Sequence, residues 1–356
     1  MRNQLYNLAR QVALRMPHIK ELVNGRRVLL AERNDVMAER DRLENEVRQL
    51  SSSLEFTTEE NRHLKDEVRR GHERLSLFGE SCPFVPNGHF YSPIPSQEEL
   101  LRDSHRIFSS SRNSVPDIDL REEQQLALLE KFALMYRDLP FSDEKKEGLR
   151  YYFDNPAYGY SDAIFLNSMI RYARPKRIVE IGSGFSSCMT LDTNEIWFGD
   201  SINCTFIEPY PDLLYSLLKL GDLDRIRVIA SRIQDADLSP IADLESGDIL
   251  FIDSTHVSKI GSDVNRIVFD VLPSLRSGVY IHFHDIFYPF EYPKEWAIEG
   301  RAWNEAYILR AFLQNNSEFE IVAFNTFLEE FHRDFFVENM PLCLKNTGAS
   351  IWLCKR

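Results

Sequence analysis

From Tyr151 onward, short strand-like runs alternate with helical stretches, and this alternation constrains the fold more than any other feature. The runs are "RIVEI" (177–181), "CTFIE" (204–208), "IRVIA" (226–230), "DILFID" (248–253) and "GVYIHFHD" (278–285), each β-branched or aromatic and each followed by a helical segment. Strands separated by helices pair in parallel, so the pattern predicts an α/β domain with helices on both faces of the sheet. A helix, "SDAIFLNSMIRYA", with Ser161 as its N-cap, is expected before the first run. Then the habit changes. "FEIVAFNTF" (319–327) and "SIWLCKR" (350–356) are joined by a stretch with no evident crossover helix, which predicts an antiparallel closing pair.

The N-terminal part is a different kind of object. Residues 1–80 hold 15 Lys+Arg and 14 Asp+Glu, leaving 27 basic and 41 acidic residues in the remainder of a chain of net charge -13. Over residues 26–78 a heptad places Leu29, Val36, Leu43, Leu50, Thr57, Leu64, Gly71 and Phe78 at d. The a positions are Arg26, Arg33, Arg40, Val47, Leu54, Asn61, Val68 and Leu75, an alternation with the period of a coiled coil. Asn61 at a favours two strands in register, whereas the three arginines and Gly71 weaken the seam. Upstream, "MRNQLYNLARQVALRMPHIKEL" is amphipathic and basic, and is expected to be a packing helix rather than one lying on a membrane. "GESCPFVPNGHFYSPIPS" carries four prolines and reads as an extended connector, and Asp119–Leu139 as a capping helix. The expected organisation is therefore a homo-oligomerising coiled coil (1–80), a connector with a capping helix (81–150) and an α/β domain (151–356).

Acidic balance argues against nucleic acid as a partner. Cys82, Cys188, Cys204, Cys343 and Cys354 are odd in number, widely spaced and without a CxxC, so neither a disulfide framework nor a structural zinc is expected. With no signal-like start and no apolar run long enough to span a bilayer, the expected location is the cytoplasm.

In open α/β sheets, ligands bind beyond the carboxyl ends of the strands. The first strand ends in "VEIGSGFSS", where Gly182 and Gly184 allow a tight turn and close approach of a ligand, although the third glycine of GxGxxG is replaced by Ser187. The second strand ends in Glu208, 24 residues after Gly184, an offset at which a carboxylate accepts ribose hydroxyls. Gln234 and Asp235 follow the third strand and are expected near an adenine. The fourth ends in "FIDSTH", with Asp253 and His256 three apart, and the fifth in His282, His284 and Asp285. If these two strands are neighbours, acids and imidazoles converge beside the nucleoside. Buried groups of this kind must be paired or bound to something.

Over roughly Tyr151–Arg356 these residues resemble the class I S-adenosylmethionine-dependent methyltransferases, whose Rossmann-like seven-stranded sheet is mostly parallel, with an antiparallel last strand inserted beside the fifth. The D-x-x-H and "HD" strand ends are similar to those of divalent-metal O-methyltransferases of the catechol and macrolide-sugar types. The resemblance implies S-adenosylmethionine as cofactor, with Glu180, Gly182, Ser183, Gly184 and Ser186 about its methionine part and Glu208 on its ribose. It also implies Asp253, next to the cofactor, and Asp285 as ligands of Mg²⁺ or another divalent metal, with His256 as general base. His284 departs from the family, which has a carboxylate or amide around this position. As a histidine it joins the candidate ligands, and Mg²⁺ prefers oxygen.

After the fifth strand comes an aromatic, proline-rich segment suited to a substrate lid. Tyr288, Trp296, Arg301 and Trp303 are candidates to grip a sugar, glycan or similar polar acceptor. The expectation is an O-methyltransferase. Its rivals are a His/Asp metal-dependent oxygenase, an NAD-type oxidoreductase, and a non-enzymatic coiled-coil scaffold carrying a degenerate sheet.

Overall fold

A computed structural model of the chain describes residues 2–13, 15–77, 84–108 and 114–356. They divide into two compact units, Met1–Phe84 and Val85–Arg356. The proline-rich connector and capping helix thus fall in the same unit as the sheet.

The first unit consists of the helices Arg2–Ala13 and Pro17–Leu77. The second spans the heptad without a break across Gly71, and residues 24–65 are all exposed. In the Arg2–Ala13 helix, Leu5, Tyr6, Leu8 and Val12 are more than half exposed. Side chains beyond Asp66 of the long helix, and Phe78 and Cys82 altogether, lie outside the described residues.

The second unit is built on a seven-stranded sheet: β1 Arg177–Ile181, β2 Asn203–Ile207, β3 Arg227–Ile229, β4 Ile249–Ile252, β5 Tyr280–His284, β6 Phe319–Phe324 and β7 Ser350–Lys355. Its order is β3-β2-β1-β4-β5-β7-β6. β7 runs antiparallel to both β5 and β6, and the other pairings are parallel. The sequence expectation of a mostly parallel sheet with an inserted antiparallel strand therefore holds. β4 is buried at every position, as is β1 from Ile178 to Ile181, because helices cover both faces.

Three local expectations are corrected. Ser161 does not cap its helix, which runs Tyr160–Ala173 from Gly159; the Ser161 hydroxyl donates to Glu329 Oε1 at 2.6 Å. The link between β6 and β7 is helical rather than a plain loop, with helices Asn325–Phe331 and Arg333–Asn339, and β6 stops at Phe324. The connector also contains short helices, Gln97–Arg102 and Ser104–Ile107. The capping helix Glu122–Tyr136 does meet the domain: Phe132 stands edge-on to Phe165 at 5.5 Å, and buried Gln125 accepts the Phe324 N–H at 2.7 Å.

Candidate active site

Parallel pairing continues one residue past the strands and brings their carboxyl ends into line. Asp253 N–H donates to Ile181 O (2.8 Å), Gly182 N–H to Ile207 O (3.0 Å) and Glu208 N–H to Ile229 O (3.1 Å). Gly182 has φ +80°, and a Cβ there would stand 1.9 Å from the Asp253 carbonyl oxygen, so only glycine fits where the first turn crosses the end of β4. At Gly184 a Cβ would meet no protein atom closer than Leu213 Cδ2 at 3.5 Å. The fold itself does not demand glycine there, and the position is open to a ligand.

Glu180 is fully buried under this turn. Its Oε1 accepts the hydroxyls of Ser186 (2.6 Å) and Ser187 (2.8 Å), tying β1 to the first turn of helix Phe185–Phe198. Burial drives its pKa up to about 8 against the pull of those two bonds. Glu180 and Ser186, expected to line a cofactor, therefore brace the turn from below, while Gly182 faces the cleft. Glu208 accepts the Ser183 N–H (3.1 Å) and the Tyr210 N–H (2.8 Å). A carboxylate has about four acceptor sites, so two remain for a ligand.

A cavity of about 570 Å³ opens there, lined by Gly182, Glu208, Tyr210, Gln234, Asp253 and Lys259 among others. Of the two residues expected near an adenine, Gln234 lines it. Asp235 does not; its carboxylate turns to Arg232 at 2.7 Å on the surface.

β4 and β5 are neighbours, and their ends deliver Asp253, His256 and Asp285 to one point. His256 Nε2 is 3.4 Å from Asp253 Oδ1 and 3.5 Å from Asp285 Oδ2. His256 and Asp285 have φ of +60° and +55°, a left-handed backbone that costs non-glycine residues about 1–3 kcal/mol each and gathers at functional sites.

One residue that holds this cluster together was missed by reading the sequence. Glu305, 1% exposed, meets His256 Nδ1 at 2.8 Å and accepts the Ser254 hydroxyl at 3.1 Å. The N–H groups of Asn304 and Glu305 both donate to the His256 carbonyl oxygen, so the start of helix Glu305–Leu313 carries the imidazole. Only the acidic first turn of that helix, some 50 residues downstream, was available as a signal.

Burial alone would lower the His256 pKa. Its hydrogen bonds to Asp253 and Glu305, with the field of Asp285, outweigh burial and raise it to about 10.

His284 stands outside the trio. Its Nε2 is 3.7 Å from Asp285 Oδ1, and its ring lies against Tyr158 at 5.1 Å. His256, not His284, is the imidazole that converges with both aspartates. His282 is fully buried and stacked on Phe251 at 4.0 Å; burial holds its pKa well below the usual value, so it is a neutral core residue.

The lid residues separate into two groups. Trp303 lies 4.5 Å from the His256 ring, Trp296 stands edge-on to Trp303 at 5.2 Å, and the Arg301 guanidinium covers Trp296 at 4.4 Å. Tyr288 is not with them. It is 7% exposed and packed among Phe324, Phe327 and Phe331, as core. Asn304 ties down Ser258 by both its amide oxygen and its amide nitrogen.

Residues 179–286 match a family described as a methyltransferase domain. An uncharacterized protein of Archaeoglobus fulgidus is 40% identical over 176 residues, which is 48% of this chain and 78% of the relative. Among solved structures, the chain is similar to the SAH-bound methyltransferase PaMTH1 of Podospora anserina (16% identity, TM-score 0.36, 78% of this chain and 100% of that one). It is also similar to the O-methyltransferase TomG of Streptomyces achromogenes, solved with SAM (13% identity, TM-score 0.37, 73% and 96%). Likenesses as slight as these two carry no weight for what the chain binds or modifies.

Proposed function

This chain belongs to the class I S-adenosylmethionine-dependent methyltransferases, and from that premise we propose that it is an O-methyltransferase with a divalent cation at Asp253, His256 and Asp285. The observation that carries the proposal is the convergence of three ligand atoms within 4.8 Å of one another, beside the glycine turn and Glu208.

The residues fit a cation. Three carboxylates gather on one imidazole, an excess of negative charge that a dication offsets. Separations of 3.4 and 3.5 Å suit atoms that each bond one central ion at about 2.0–2.2 Å. Two carboxylates and an imidazole suit Mn²⁺ or a similar ion better than Mg²⁺, which favours an all-oxygen shell. Glu305 has the role of the carboxylate behind a metal-bound histidine: it accepts the Nδ1 proton and directs Nε2 at the site. His256 is then a neutral ligand, not a base.

In this site the cofactor supplies an electrophilic methyl group, and the cation stabilises the oxyanion of the acceptor. The chain's own residues do the rest. The Gly182–Gly184 turn gives the cofactor close backbone contact, and Glu208 accepts from its ribose. We assign Asp285 Oδ1, the oxygen turned away from His256 toward His284, to receive the proton of the acceptor hydroxyl. Trp303 and Trp296 shield the cluster from water.

We take the acceptor to be a hydroxyl of a sugar or glycan. Trp296 and Trp303 offer flat apolar faces to a ring's C–H groups, with the Arg301 guanidinium beside them for its oxygens. We further assign the heptad of helix Pro17–Leu77 to a coiled coil between copies of the chain.

Isothermal titration with S-adenosylmethionine and S-adenosylhomocysteine tests the nucleoside site. Both are expected to bind one per chain, and Glu208→Gln to weaken them about tenfold, the loss of one or two charge-assisted hydrogen bonds. Failure of both ligands to bind would contradict the proposal.

A further inference from the structure

We propose that helix Pro17–Leu77 pairs with a second copy of itself as a parallel, in-register, two-stranded coil. The inference rests on the coiled-coil assignment and adds direction, register and the pairing that makes the seam's arginines tolerable.

A helix of 61 residues is about 90 Å long, and no single helix of this kind buries its apolar stripe by itself. Leu29, Val36, Leu43, Val47, Leu50 and Leu54 are all more than half exposed. A groove lined by Val36, Glu39, Arg40, Leu43, Glu44 and Val47 runs along that stripe. Such a surface needs an occupant, and the charges flanking it say which one.

With the a and d positions fixed by the heptad, every g position but one from Glu32 to Glu60 is a glutamate: Glu32, Glu39, Glu46 and Glu60, with Ser53 between. In an antiparallel pair the g row of one helix faces the g row of the other, setting acid against acid along the coil. In a parallel pair g faces e of the next heptad, and charges at e and g set orientation. Glu60 then meets Lys65 of the second copy, while Glu46 meets the neutral Ser51.

The arginines, which weaken an isolated seam, support the same direction. In a parallel pair each a side chain packs beside the partner's preceding g residue. Arg33 then reaches Glu32 of the second copy, and Arg40 reaches Glu39. Within one chain Arg40 is met only by Asp41 and Glu44, on a surface more than half exposed. Arg40 also lies between Glu39 and the facing Glu44, the one like-charged contact in the g-to-e row. Asn61 fixes the register: only with no stagger does it meet another Asn61 instead of an apolar neighbour. In this arrangement both catalytic domains leave the coil from the same end.

The test is oxidative cross-linking of full-length Leu50→Cys, a d position that leaves Asn61 in place, in a Cys82→Ser background, read beside light scattering of the uncrosslinked protein. The expected result is a particle of twice the 41.6 kDa chain mass that converts almost fully to a disulfide-linked dimer. A dimer that yields no disulfide would overturn the parallel register and leave the coiled-coil assignment standing. A monomer would overturn both, and a trimer would overturn the two-stranded state. Glu32→Lys, at a g position that faces the neutral Met37, separates charge pairing from simple apolar association: the dimer dissociation constant is expected to rise at least threefold, and no change would overturn the arginine pairing.

Discussion

Two clusters of buried charge lie in the α/β unit, and they are built on opposite rules. In the first, Arg150 is buried with Asp192 and Asp222, taking Asp222 with two nitrogens (2.6 and 2.8 Å) and Asp192 with a third (2.7 Å). Glu195, Lys219 and Arg225 complete it. Three cations meet three anions, with the part-exposed Asp200 also paired to Arg225, and the N–H groups of Arg150 and Tyr151 reach Asp192. Each buried carboxylate faces a cation. In the second cluster Asp253, Asp285 and Glu305 surround one imidazole, on two residues with left-handed backbone. The closed cluster fastens the segment before the first helix to the sheet's outer layer. The open one keeps an appetite for positive charge. Burial and ionisation are common to both, so what sets the second cluster apart is its unbalanced charge.

Substitutions in the two clusters should therefore have opposite consequences. The largest expected effect is on stability. Arg150→Met strands two buried carboxylates and should cost about 3–5 kcal/mol in urea unfolding, the scale for breaking a buried pair. A loss below about 1 kcal/mol would mean that the network is less tightly closed than its geometry indicates. Asp285→Asn is expected to leave the unfolding midpoint unchanged or raised, because it relieves crowding of like charge. It should lower turnover about a hundredfold, close to 2.7 kcal/mol on the barrier, in a methyl-transfer assay. Equal losses of stability and activity would erase the contrast between the clusters.

The smallest expected effect concerns a buried carboxyl outside both clusters, Glu329, which makes no ion pair among the described residues. Burial raises the pKa of Glu329 to about 9, so the folded state holds it protonated. Its contribution to stability is full below the ordinary carboxylate range near 4.5 and is lost as pH rises toward 9, since the folded state binds the extra proton across that window. Glu329→Gln keeps the shape without the titration. It should match the parent at pH 5 and exceed it by about 1 kcal/mol at pH 6. Parallel stability profiles would show that Glu329 is ionised in the fold.

The sheet was legible in the sequence because parallel strands buried on both faces leave continuous apolar runs, and the turn glycines and acids fall at their ends. The same logic put Asp253, His256 and Asp285 at the ends of neighbouring strands, where their side chains converge. It failed where a contact depends on residues far apart in the chain. Glu305 comes to His256 from 49 residues away, and Arg150 to Asp222 from 72. It failed also at His284, whose place beside Asp285 in "HFHD" says nothing about which imidazole turns toward Asp253. Tyr288 illustrates a third limit. An aromatic residue in a lid sequence and one in the core have the same local pattern, and only its packing on Phe324, Phe327 and Phe331 separates them.

The claim that the open cluster is a cation site is tested most directly by titrating metal-stripped protein with Mn²⁺ in a calorimeter, alone and with S-adenosylmethionine present. The expected result is one ion bound per chain, with binding abolished in Asp253→Asn and in Asp285→Asn but retained in Arg150→Met wherever that variant still folds. No binding by the folded parent protein, or binding that survives in both aspartate variants, would contradict it.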